Sequence, residues 1–239
     1  VEQIEVVAKE LNDQKNRVEA KRSEQQILLN QQVRESRKLA RSKRKQSQLV
    51  AQLTKKERQL RKEVENRKAA NRRLNTLIAK IIEDEARKSS SASTAEIASA
   101  AELTRMFESK KNNLSWPVTS GFISSKFGKQ PHPVLKRITV VNDGVGIQTE
   151  KDSQVRSVFD GEVTLIGTIP GKNNVVVIRH GSYLTVYAQL KNVNVKKGQK
   201  VRVSDTIGEV FTDRDGVSEL EFQVYKGTTK LNPENWLSM

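Results

Sequence analysis

The sequence contains no cysteine, which excludes disulfides and thiol chemistry and leaves the redox compartment open. Only two histidines occur, His132 and His180, so a site needing three imidazoles cannot be built. No glycine or proline precedes Pro117, and the first 116 residues therefore lack both of the strongest helix breakers. No apolar run is long enough to cross a bilayer, and no signal-peptide pattern opens the chain. The chain starts at Val1 rather than Met, as in a trimmed fragment from which an export signal or an upstream helix has been removed. Hydrophobic residues make up 35% of 239, low for one globular domain of this length, so more than one kind of structure is expected.

What the chain has in excess is positive charge. Its formal charge is +15, and residues 1–116 hold 27 Lys and Arg against 16 Asp and Glu, while the remainder holds 16 against 12. Such a balance implies anionic surroundings: a membrane surface, a cell-wall polymer or nucleic acid. An aromatic content of 5% and the lack of a base-reading motif count against nucleic acid.

From Ile4 to Ile81 one heptad frame can be followed. Ile4, Leu11, Val18, Leu39, Leu53, Leu60, Leu74 and Ile81 share one position, and Val7, Leu28, Leu49, Ala70 and Leu77 share the other. The pattern predicts a coiled-coil helix over residues 1–88, roughly 130 Å long at ~1.5 Å per residue. Gln14, Gln25, Gln32, Gln46 and Arg67 interrupt the seam, so a partner helix is required. An antiparallel helix upstream is the first choice, ahead of a second copy or the same helix folded back. The patch Arg34–Lys45, with seven basic residues and one acid, reads as a solvated stretch of coiled coil, with a docking site for an anionic partner as the alternative.

Residues 89–115 form a separate segment. Ser89 to Thr94 is a serine-rich hinge, and Ser93 or Thr94 is placed to cap a second helix running to about Lys111. Ile97, Ala101, Met106 and Phe107 fall on one side of it. That side either packs on the back of the following domain or lies in its groove as a removable plug, and the regulatory plug is the expectation carried forward.

From Trp116 to Met239 the text changes to short β-type runs: 138–141, 144–149, 161–166, 175–179, 184–190, 206–211 and 219–225, with a hairpin turn at Pro170–Asn174. They predict a compact, mainly antiparallel β domain. In Ser218–Val224 apolar and polar residues alternate strictly, which places Glu219, Glu221 and Gln223 on one face of a half-buried strand.

This β domain resembles the LytM/lysostaphin-type zinc endopeptidases of peptidoglycan. The matching pieces run in order: Trp116-Pro117-Val118 with Gly121, Ser124-Ser125-Lys126-Phe127-Gly128, His132-Pro133-Val134, Asp160-Gly161-Glu162-Val163 and Val177-Ile178-Arg179-His180-Gly181. Tyr187-Ala188-Gln189-Leu190, Gly198-Gln199-Lys200-Val201, Ile207-Gly208 and Asn232-Pro233 with Trp236-Leu237 follow. The resemblance implies a zinc ion held by the His and Asp of an H-x-G-x-D pattern and the second His of H-x-H. Here those positions hold Asn142, Gly146 and Glu221. The first His of H-x-H is Glu219, and the assisting His of Tyr-Ala-His-Leu is Gln189. His132 and His180 match non-ligand positions and are expected to be structural. A carboxylate cluster of Asp143, Glu219 and Glu221 is the one other conceivable site, with solvent-facing carboxylates the preferred reading.

A coiled coil, a linker helix and a degenerate LytM-type domain together are similar to the murein hydrolase activators of the EnvC type. What this implies is a non-enzyme in the periplasm, with no metal and no cofactor. It would activate an N-acetylmuramoyl-L-alanine amidase in cell-wall remodelling and daughter-cell separation. Its coiled coil would be held by a division-associated ABC transporter complex, and contact with peptidoglycan is also expected. Asn142, Tyr187, Gln189, Glu219 and Glu221 are the expected partner-binding groove. An active LytM-type endopeptidase and a structural or anion-binding coiled coil are the alternatives.

Overall fold

A computed structural model describes residues 2–89, 93–131, 134–135 and 138–238. His132, and with it the expectation of a structural imidazole there, lies outside the described residues. Helix α1 is Glu2–Ser89, as the heptads and the absence of breakers predict. The chain divides into two compact units, 1–60 and 61–239, and the division falls inside α1 rather than at its end. In the first unit the seam residues Leu11, Val18, Leu28, Leu39, Leu49 and Leu53 are all exposed. In the second unit the same seam is used differently: Ala70, Leu74, Leu77 and Ile81 pack on the β domain, together with Ile78 and Ile82.

Helix α2 is Thr94–Ser109 and is capped by Ser93, whose Oγ accepts from Glu96 N–H at 3.3 Å while Glu96 Oε2 accepts from Ser93 N–H at 2.8 Å. The Ser93 N–H and the Ser93 hydroxyl both donate to the Glu96 carboxylate and hold it below the usual carboxylate range. The β domain is built from β1 (Phe122–Ser125), β2 (Gly128–Pro131), β3 (Thr139–Asn142), β4 (Val145–Thr149), β5 (Gln154–Arg156) and β6 (Gly161–Ile169). After these come β7 (Asn173–His180), β8 (Tyr183–Val193), β9 (Lys200–Val201), β10 (Thr206–Val210), β11 (Ser218–Lys226) and β12 (Thr229–Leu231). The main sheet runs β1-β4-β11-β8-β7-β6-β9, with β10 on β8 and β5, and β12 on β11. Strands β2 and β3 pair separately, and every ladder is antiparallel.

Strand parity sorts the side chains into two layers. On β8, Leu184, Val186 and Ala188 join the layer beneath α1, whereas Tyr183 and Tyr187 enter the opposite core with Leu220, Phe222 and Val224 of β11, and Leu190 joins them because the strand breaks parity at Gln189.

Helix α2 belongs to that opposite core. Phe107 is fully buried, its ring 4.7 Å from Tyr183, 5.0 Å from His180, 5.1 Å from Trp236 and 5.4 Å from Phe159. Thr104 Oγ1 accepts from Ser182 N–H at 2.9 Å, and Tyr183 Oη donates to Glu108 at 2.8 Å. The groove-plug expectation for this helix is therefore corrected. Ile97, Ala101 and Met106 are exposed, Phe107 is a core residue, and the helix packs on the back of the domain as a connector. A phenylalanine that completes an aromatic cluster is held by ring packing and loss of water, and it cannot leave without opening a core.

Candidate functional site

The layer under α1 ends in a cavity of about 390 Å³. Its floor comes from β3, β4, β8 and β11 and from the turn between β6 and β7, and its roof from α1 between Val64 and Asn75. Four of the residues expected in the groove, Asn142, Gln189, Glu219 and Glu221, line it, as does Gly146. Register explains this: Glu221 faces Ala188 on β8 and Gly146 on β4, so the three strands bring their polar positions to one place.

Tyr187 is the exception and is corrected. It is fully buried on the other face, where its Oη accepts from Val158 N–H at 3.0 Å, and burial raises the pKa of its phenol. Parity alone would send Gln189 to the same face as Tyr187. Gln189 instead adopts φ +67°, where the β7–β8 register also shifts, and so its side chain turns to the cavity.

The polar groups on the sheet side of the cavity that match the expected groove each have a partner. Asn142 Nδ2 donates to Lys126 O at 2.8 Å. Gly146 N–H donates to Ser125 Oγ at 3.0 Å, and a Cβ placed on Gly146 would stand 2.8 Å from the Glu219 carboxyl. Glu219 Oε2 accepts from Ser124 Oγ at 2.6 Å. Gln189 holds the β6–β7 turn by three bonds: its N–H to Lys172 O at 2.8 Å, its Nε2 to Gly171 O at 3.2 Å, and its Oε1 from Asn173 Nδ2 at 2.6 Å. That turn delivers Lys172, which is only 4% exposed, and its ammonium donates to both carboxylate oxygens of Glu221. Gln223 Nε2 donates to the same carboxylate at 2.5 Å.

Asp143 faces the roof. Its carboxylate takes Lys230 Nζ at 2.8 Å and Asn75 Nδ2 of α1 at 3.1 Å. Asn75 Oδ1 also lies 3.2 Å from Tyr225 Oη, a phenol whose pKa is raised by burial and by the nearby charges of Asp143 and Glu221. At the far end of the same helix face, Glu85 pairs with Arg179 at 3.3 Å. The carboxylate cluster weighed above does not form: Asp143, Glu219 and Glu221 are all present, each with a different partner, and no metal-type grouping of three occurs among the described residues.

His180 lies away from the cavity in the opposite core. Its Nδ1 contacts Asp160 O at 2.6 Å and its Nε2 contacts Thr185 Oγ1 at 2.8 Å. Burial lowers its pKa from 6.5 to about 4, which keeps the imidazole neutral and structural.

Residues 140–233 match the model of peptidase family M23. Over these residues the β domain is similar to the M23 peptidases. The cell division protein DipM of Caulobacter vibrioides is 33% identical over 140 residues, which cover 56% of this chain and 22% of that protein. The peptidoglycan DD-endopeptidase ShyA of Vibrio cholerae is 35% identical over 107 residues, covering 44% of this chain and 24% of ShyA. The crystal structure of Helicobacter pylori Csd3 aligns with a TM-score of 0.46 and 32% identity over 53% of this chain and 35% of Csd3. The chain thus spans less than a quarter of the length of the two curated relatives. Both have names that place them in division or peptidoglycan remodelling.

The similarity to family M23 implies zinc, and the side chains here do not fit it. Zinc of this kind takes neutral imidazole or free carboxylate donors in a tetrahedron with one open position. Asn142 offers an amide committed to a backbone carbonyl, Gly146 offers no donor, and Glu221 is already matched to an ammonium inside the protein. The sequence reading missed Lys172, Lys230, Ser124, Ser125 and Asn75 as parts of the site. Of these, only the serines sat in a motif already singled out.

Proposed function

We propose that this chain is a non-catalytic activator of a murein amidase, an N-acetylmuramoyl-L-alanine amidase, acting in the periplasm during cell-wall remodelling and daughter-cell separation. The observation that carries this reading is the Lys172–Glu221 pair, in which a protein-supplied cation is bound by the residue at a position where the M23 resemblance expects a metal ligand. A cleft that keeps its shape and loses its metal donors is suited to recognition, and a helix laid in a groove is a recurrent mode. Asn142, Gln189, Glu219 and Glu221 are the proposed contacts.

In this reading the restraint on the groove is α1 between Val64 and Glu85, in place of α2. The amidase displaces it when a division-associated ABC transporter, engaged through the rest of the coiled coil, acts on α1. Peptidoglycan is a further proposed contact. Purified protein should bind less than stoichiometric zinc, release no muropeptides from cell wall, and stimulate an amidase. Stoichiometric zinc with muropeptide release would replace this reading with an endopeptidase. Leu74→Glu sets a carboxylate in the apolar layer under α1 and should raise amidase stimulation; unchanged or weaker stimulation would reject the restraint.

A further inference from the structure

The cations of α1 between Arg34 and Lys45 are distributed unevenly around the helix. At ~100° per residue, Arg34, Arg37, Lys38, Arg41, Arg44 and Lys45 fall within an arc of roughly 120°, while Lys43 lies on the far side. The heptad seam carrying Leu39, Leu49 and Leu53 is centred roughly 120° away from the centre of that arc. A helix seated on the seam therefore leaves the cationic row open.

All residues from 34 to 45 are exposed, and among the described residues none of the six cations makes an ion pair. No acidic residue occurs between Glu35 and Glu57. Further along the same helix Arg67 is paired to Glu63 at 3.1 Å and Lys68 to Glu65 at 2.8 Å, while among the described residues Arg72, Arg73 and Lys80 make no ion pair. What distinguishes residues 34–45 is density, with seven cations and one acid in twelve residues.

We infer that this row is a docking surface for an anionic phospholipid bilayer. The row is straight, ~17 Å from first to last Cα at ~1.5 Å rise per residue, and convex. A plane of headgroups touches all six cations at once, whereas a flexible polyanion needs a groove to enclose it. No aromatic residue occurs before Phe107, so neither base stacking nor an interfacial ring anchor contributes. No helix among the described residues is long and apolar enough to cross a membrane. Association is therefore peripheral, reversible and governed by salt.

The test is sedimentation of the full chain with phosphatidylcholine vesicles that do or do not contain phosphatidylglycerol. Binding should require the anionic lipid and fall at least about tenfold between ~0.05 M and ~0.5 M salt. The variant R37E/R41E/K45E should lose about a hundredfold in partitioning, while K21E/R22E/K43E, with the same change in net charge off the row, should lose less than about threefold. Far-UV circular dichroism checks that both stay helical. Equal losses in the two variants would reduce the effect to net charge and overturn the row. Binding to neutral vesicles, no binding at all, or tighter binding to soluble polyphosphate at matched phosphate concentration would each overturn the bilayer.

Discussion

Phe107 on α2 and Leu74 on α1 are both almost wholly buried against the same sheet, yet the layers around them differ in kind. Phe107 is surrounded by four rings, and polar groups enter this layer through His180, Thr104 and Glu108. Leu74 sits in an aliphatic strip whose neighbours are interrupted by polar contacts at Asn75–Asp143 and Glu85–Arg179, with the Lys172–Glu221 pair close by in the cavity. Exposing a ring cluster costs dispersion and hydration together, and little of it beyond His180 and the Tyr183 hydroxyl regains a bond with water. A partly polar layer regains solvation as it opens, so the α1 side is the one suited to exchange one helix for another. Both helices carry an apolar face in sequence; the chemistry beneath them separates connector from cover.

The largest effect should come from the ring cluster. Phe107→Ala is expected to destabilise the chain by about 3–5 kcal/mol, read as a shift of the urea midpoint at constant slope. A loss below about 1 kcal/mol would mean that α2 is not anchored and would collapse the contrast between the helices.

Next comes His180, in the same layer. Its folded pKa of about 4 lies below the ordinary 6.5, so in the falling pH range the unfolded chain takes up the proton first. The stability from keeping it neutral is complete above pH 6.5 and is lost as pH falls toward 4, by about 3 kcal/mol in all. Nuclear magnetic resonance of the ring should show no titration of His180 between pH 7 and 5, with His132→Asn used to tell the two imidazoles apart. A midpoint near 6.5 would place His180 in contact with water.

Much of this arrangement could be read from the residues, and the failures have local causes. The heptads and the absence of breakers predicted α1, and alternation predicted β11 down to the face that carries Glu219 and Glu221. Strands β1, β2, β5, β9 and β12 went unread because two to four residues give too little alternation to detect. Tyr187 was misplaced because its neighbour Gln189 reaches the cavity through a positive φ that no side-chain pattern announces. Lys172 sits in a predicted turn, where a lysine reads as solvated; that its ammonium folds back to Glu221 depends on two strands far apart in sequence. Seam residues on α1 say that something covers them but not whether it is a helix or a sheet, and so the cover over the groove was assigned to the wrong helix.

On the groove side the Lys172–Glu221 pair should show an intermediate effect. Lys172→Met leaves Glu221 with Gln223 as its remaining donor, and a loss of about 2 kcal/mol is expected, below the usual ~3–5 for a fully buried pair because the Glu221 side chain is 22% exposed. Adding Glu221→Gln should recover most of it, since the stranded charge is then gone. If the double variant is as unstable as the single one, the pair is not an internal neutralisation, and the comparison with a metal site loses its basis. Urea titration of the four proteins in the cycle decides this.

The smallest effect is expected at Asn75, and its size follows from what its partners retain. Asp143 keeps Lys230 when the amide is removed, and Tyr225 has a single hydroxyl proton that Gln223 Oε1 takes at 2.7 Å in preference to Asn75 Oδ1 at 3.2 Å. Asn75→Ala therefore breaks one bond to an already paired carboxylate, worth about 1 kcal/mol. Global stability should hardly change. What should change is the local opening of α1, seen as faster amide hydrogen exchange between residues 64 and 85 while the α2 amides exchange as before. Equal acceleration in both helices would show that they open together, and the distinction between a fixed connector and a displaceable cover would not hold.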